Sequence, residues 1–289
     1  MSLLLLLSCT GTLSNDPFVE DALFLSALPD PTLLELAWPV DTVDADPRAE
    51  LLLMSLDSLN TGAAQTAFVL SLTNTISAVP PSERGEHHRV WGPGAWDDNP
   101  GSFLRVEMTR TSDRENYLYT FQAGSTSDGP WVEFFEGGAA LSTEPDAPLA
   151  DGTMFWDAAA LDTVIPDHGA QDMLLRYQHG ADGTLSLEME AAFLLEVEQR
   201  ADGSGWLSAA LQEDVDAESG QGVEEDLGLE STWLHTGQGR GALSISGGDL
   251  PIDEATLTQC WSANGATVWS AGEPSEWFEP SGAEGDCAL

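Results

Sequence analysis

The chain has 289 residues, 49 of them acidic and only nine basic, all nine being arginine, so the formal net charge is −40 and the pI about 4.1. A surface this negative repels phosphate backbones, which argues against nucleic acid as a partner, and it repels itself unless salt or divalent cations screen it. The 42% hydrophobic share suffices for a sizeable core in one large domain or two modest ones, but no stretch reaches the roughly 20 apolar residues of a membrane-spanning helix.

The chain opens on MSLLLLLSCTG, where five leucines stop at Ser8-Cys9. Leu6-Leu7-Ser8-Cys9 resembles the lipobox of bacterial lipoproteins: an apolar residue, a variable one, a small one, then cysteine. The resemblance implies a covalent lipid on the Cys9 thiol, cleavage before it, and attachment to a membrane through that anchor. Residues 1–8 are then a signal peptide, and residues 9–15 are the lipidated cysteine with its polar tether. Met1-Ser2 carries no positive charge and the apolar run is shorter than usual, so either the signal is minimal or part of it lies upstream of Met1. With Cys9 acylated, Cys260 and Cys287 remain, and an even pair in an oxidising compartment forms a disulfide. The destination is the bacterial cell envelope. Thr10, in place of a retention-type aspartate, favours the outer membrane.

Residues 16–82 read as a helical region. A first helix takes Asp16 as N-cap and Pro17 as its first residue, and it ends by Pro29. A second starts at Asp46-Pro47 with Leu52, Leu56 and Leu59 on one face, and Asn60-Thr61-Gly62 interrupts it. It resumes with Ala64, Phe68, Leu72, Ile76 and Val79 until Pro80-Pro81 stops it. These apolar faces are expected to be core. Acidic residues flank them where a membrane-surface helix would carry lysines.

Residues 83–289 change to a period of two. Leu104, Val106 and Met108 share a face, as do Tyr117, Tyr119 and Phe121, and a strand is expected around Trp131. Met173, Leu175 and Tyr177 run into an Asp182-Gly183 turn and return through Leu185, Leu187 and Met189; the pattern recurs around Asp202-Gly203. Further strands fall near residues 229–235, 242–246 and 256–261. About ten antiparallel strands result, in a domain ending in the disulfide-closed C-terminal segment. The fold class is α+β: N-terminal helices packed on a large curled antiparallel β-sheet or open β-barrel. A two-sheet sandwich with the helices on one end is the alternative.

The segments VPPSERGEHHRVWGP (79–93) and LSISGGDLPIDEATLTQCWSANGATVW (243–269), with the acidic β-rich middle, resemble a set of uncharacterised acidic lipoproteins of myxobacteria and related bacteria. In those chains a helical part ends in a Pro-Pro stretch before a VWGP-like strand, and a late Gly-Gly-Asp-Leu leads to a Cys-Trp strand. The resemblance implies an anchored envelope protein and brings no activity with it. Ser262 stands where such chains usually have aspartate.

No nucleophile elbow, phosphate loop, zinc-protease helix or Cys-x-x-Cys pair is present. His87 and His88 are adjacent, so on a strand they point to opposite faces; His168, His179 and His235 each stand alone. One acidic segment has hard-oxygen spacing: Asp214, Asp216, Glu218 and Glu225 fall at positions 1, 3, 5 and 12 of a calcium loop. Ser219 occupies the position that needs glycine, and flanking strands replace the usual helices, so an acidic hairpin loop is the competing reading. The expected function is therefore a non-enzymatic structural or interaction role in the envelope, with a protein partner unspecified. The alternatives are a carrier of a lipid or other apolar ligand beneath the helices, and a Ca²⁺-binding surface protein. A hollow or a filled sheet interior separates the first two.

Overall fold

The computed structural model describes residues 16–29, 38, 48–96, 99–113, 115–141, 149–168, 171–215 and 223–287. Helix α1 is Asp16–Leu25 and α2 is Glu50–Ser77. Strands β1 (Glu83–Arg84), β2 (His88–Ala95), β3 (Phe103–Arg110), β4 (Asn116–Gly124), β5 (Val132–Leu141) and β6 (Leu149–Trp156) lead to a one-turn helix α3 (Ala158–Asp162). Then come β7 (Met173–His179), β8 (Leu185–Glu190), β9 (Leu194–Gln199), β10 (Gly205–Glu213) and β11 (Glu225–Trp233). The chain closes with β12 (Gly239–Ser246), β13 (Glu254–Trp261), β14 (Thr267–Glu273), β15 (Ser281–Gly282) and a single 3₁₀ turn at Glu284–Asp286. All fifteen strands form one antiparallel sheet in sequence order, and β1 does not pair with β15, so the sheet is open. The two-sheet sandwich is thereby excluded for the described strands.

Hairpin chemistry explains the unbroken meander. At four turns a residue donates its amide to the carbonyl four residues on: Gly180 to Thr184, Arg200 to Ser204, Leu234 to Gln238 and Ser262 to Ala266, at 2.7–3.0 Å. Each turn carries a glycine at φ of 80–86°: Gly183, Gly203, Gly237 and Gly265. Only glycine adopts that region without strain, and the resulting turn matches the twist of the strands it joins.

The alternation seen in the sequence puts one face of the sheet inside. Met108, Tyr119, Met154, Leu175, Leu195 and Leu229 belong to a single register row crossing β3 to β11, and all are buried. Helix α1 reaches this face at the β2–β4 end, with Phe24 edge-on to Tyr117 at 5.5 Å. Helix α2 lies on β11–β13. Ala49, the cap position just before it, offers no capping side chain, and Gln259 of β13 accepts from the Leu51 amide at 3.0 Å in its place. Ser55 and Ser231 hydroxyls meet at 2.6 Å, and Gly241 lets the helix approach the sheet at Leu51. One buried cluster takes in both helices and the whole inner face.

Three sequence expectations change. Helix α2 begins at Glu50, after the Asp46-Pro47 signal, and runs without a break through Asn60-Thr61-Gly62. A helical glycine costs about 1 kcal/mol against alanine, and here the packing of the whole helix outweighs it, with Gly62 buried and accepting from the Thr66 hydroxyl at 2.8 Å. Ala64 and Val79, assigned to the apolar face, are exposed. The strand expected around Trp131 is present as β5, and Trp131 just before it covers Gly124 and Gly129. The described strands number fifteen, more than the ten expected; two of the additional ones, β6 and β14, carry glycines inside the strand. Gly152 in β6 lies under the Tyr177 ring, and Gly272 in β14 lies under Phe278.

Candidate functional site

The first described helix, α1, is fastened to the sheet by an unusual set of ion pairs. Along α1 the residues turned to the sheet are Glu20, Asp21 and Phe24, with Leu28 just beyond. Arg89 donates to Asp21 at 2.7 Å, Arg84 donates to the same carboxylate at 2.9 Å, and Arg110 pairs with Glu20. Arg89 and Arg110 also stack on Phe24, each with its guanidinium carbon 4.8 Å from the ring centre. Burial pushes the Asp21 carboxyl up, but the hydrogen bonds from Arg84 and Arg89 outweigh it and hold its pKa below the usual carboxylate value. Three of the chain's nine basic residues are thus spent on one short helix. A signal for this exists in the sequence: five arginines fall between residues 84 and 114 of a chain that has nine.

The stripe facing away from the sheet is apolar at its start. Phe18 is 68% exposed and Val19 57% exposed, and Ala22 follows on the same side. The expectation that the α1 face is all core therefore holds for Phe24 and Leu28 and fails for Phe18 and Val19.

The sulfurs of Cys260 and Cys287 lie 2.02 Å apart. Cys260 is on β13, opposite Trp269 of β14, and the bond ties the C-terminal segment carrying β15 to the sheet. Cys9 lies outside the described residues.

The acidic segment is brought together in part. Asp214 directly follows β10 and Glu225 opens β11, while Asp216 and Glu218 lie outside the described residues. Glu225 is fully buried, and its two oxygens accept from the amides of Val215 at 3.0 Å and Asp249 at 3.3 Å. A side chain at Gly248 would run into this carboxylate. Glu225 thus pins two neighbouring loops. Among the described residues no group of three or more His, Cys, Asp or Glu side chains is arranged to hold a metal ion.

The histidines are dispersed as expected. His88 pairs with Glu107 at 3.0 Å, and His168 lies 3.1 Å from both the Ala158 carbonyl and Asp162.

Sequence reasoning missed a pair of buried phenols. Tyr119 of β4 and Tyr177 of β7 lean over Gly137 and Gly152, the glycines directly across from them on β5 and β6. The two buried hydroxyls are neighbours and interact with each other. Burial raises both pKa values well above the ordinary phenol; Tyr177 adds to the effect on Tyr119, and Asp151 adds to the effect on Tyr177. Such hydroxyls stay protonated, so they form a packed polar spot and offer no base or nucleophile at neutral pH.

The described part of the inner face is packed with apolar side chains. Phe121, Phe135, Trp156 and Met173 stand in one register row with almost no accessible surface. Trp38 covers Trp233 and Trp261 at 5.0 and 6.4 Å. Among the described residues, an open depression of 720 Å³ on the outer face runs over Gly138 between Leu118 and Phe155. No family model, curated protein or solved structure matches the chain.

Proposed function

We propose that this chain is a lipid-anchored protein of the bacterial cell envelope in which helices packed on a curled, filled sheet serve a non-enzymatic structural or interaction role. The observation that carries this reading is the cysteine arithmetic. Cys260 and Cys287 are spent on each other, so of three cysteines only Cys9 is left, and it stands behind Leu6-Leu7-Ser8. A disulfide fits an exported protein, and an acylated Cys9 fits the lipobox-like segment. The resemblance to acidic myxobacterial lipoproteins supports the same address, and Thr10 favours the outer membrane. The packing of the inner face supports a scaffold over a carrier: a carried apolar ligand needs a cavity, and the inner-face side chains leave almost no accessible surface. Cells fed a labelled fatty acid should yield a labelled wild-type protein and an unlabelled Cys9→Ala variant. Equal label in both, or none in either, refutes the anchor.

A further inference from the structure

The geometry points to the exposed face of α1 as a membrane-docking surface, with Phe18 and Val19 seated at the headgroup–acyl boundary of the bilayer that holds the Cys9 lipid. The inference rests on the anchored reading of Cys9 and adds an orientation to it.

Three observations carry it. First, beyond its opening residue α1 is built with its polarity reversed: Glu20 and Asp21 face the protein, and Phe18, Val19 and Ala22 face out. A surface helix of a soluble domain normally does the opposite. Second, the occupant is fixed by chain length. Only six residues, Thr10 to Asn15, separate Cys9 from Asp16. Fully extended, that linkage spans at most about 25 Å, so the start of α1 cannot leave the neighbourhood of the bilayer. Third, the charge that α1 carries beside this face is offset. In a molecule of net charge −40, Glu20 and Asp21 are neutralised by Arg84, Arg89 and Arg110. Neither of these two carboxylates therefore adds an unpaired negative charge next to Phe18 and Val19. The same ion pairs fasten the helix to β1–β3, so docking α1 would fix the tilt of the whole sheet.

The test uses the full lipidated chain, labelled with fatty acid and reconstituted into phosphatidylcholine vesicles. A photo-crosslinking Ala22→benzoylphenylalanine substitution is placed in the wild-type background and in a Phe18→Ser/Val19→Ser background. Both backgrounds should incorporate fatty acid equally and unfold at the same temperature, because the two side chains make no core contact. Lipid cross-linking from position 22 should be several-fold higher in the wild-type background, and near zero from Leu118→benzoylphenylalanine on the opposite face of the sheet. Equal cross-linking in the two backgrounds would mean that the tether alone brings the helix close, and would overturn the docking surface while leaving the anchor intact. Absence of fatty-acid label would bring down the anchor and the docking surface together.

Discussion

Asp21 shows how much a single residue carries in a chain short of cations. It accepts from Arg84 and Arg89 while itself buried. Removing its charge leaves the buried Arg89 unpaired, which costs about 3 kcal/mol by the lower figure for breaking such pairs. Asp21→Asn should therefore lower the chemical-denaturation midpoint clearly, whereas Phe18→Ser should leave it unchanged. The pH dependence follows from the depressed carboxyl pKa. A group held below its unfolded value of about 3.9 stabilises the fold above that pH and loses its contribution as pH falls through the folded value. Thermal unfolding followed from pH 6 to pH 3 should fall less steeply in Asp21→Asn than in the wild type. The tyrosines make the opposite prediction. Tyr119 and Tyr177 are buried and shifted upward. Their contribution is intact below an unfolded value of about 10 and is lost as pH rises beyond it. Absorbance at 295 nm should show their tyrosinate signal appearing only together with unfolding. Little of this is legible in the sequence. The arginines are visibly clustered, but which carboxylates they meet depends on a helix folding back across some 60–90 residues.

At the level of elements, the strands with clean alternation were legible, because Leu104-Val106-Met108 and Leu185-Leu187-Met189 each put one face in the core. So were the Asp-Gly turns. What misled was glycine inside strands. Its meaning depends on an aromatic ring from the next strand: Tyr119 over Gly137, Tyr177 over Gly152, Trp233 over Gly205, Trp261 over Gly239. Local composition calls these loops, and cross-strand packing makes them core. Gly152→Ala would force the Tyr177 ring aside, and overpacking of this kind costs about 1–3 kcal/mol, read as a drop in unfolding free energy. The C-terminal element depends on its covalent tie. By the chain-entropy model, closing the 27-residue separation between Cys260 and Cys287 contributes about 3–4 kcal/mol. Cys287→Ser should lower the unfolding temperature by several degrees and raise hydrogen exchange first in β15 and in its partner residues Trp269 and Ser270.

The whole molecule is one wide sheet whose two edges are each covered by a two-residue strand, β1 on β2 and β15 on β14. Short edge strands give a neighbouring chain little to pair with, and the −40 charge keeps copies apart. That charge also works against compactness. In the outer face Glu188 stands directly opposite Glu196, and Arg176 bonds Glu188 and Glu190, each at 2.6 Å. The unfolding temperature should therefore rise with sodium chloride, most steeply at low ionic strength, where screening changes fastest. The sequence made part of this scale legible: an acidic, β-rich chain with helices in its N-terminal part. The filled interior was not legible, since no periodicity tells a packed inner face from a hollow one. The anchored, filled scaffold is tested most directly by the intact mass, under native conditions, of the full chain purified from membranes. The account predicts a chain beginning at Cys9, heavier by its acyl groups and lighter by the two hydrogens of the disulfide, with nothing else bound. An unmodified Cys9, or a stoichiometric apolar ligand carried through purification, would contradict it.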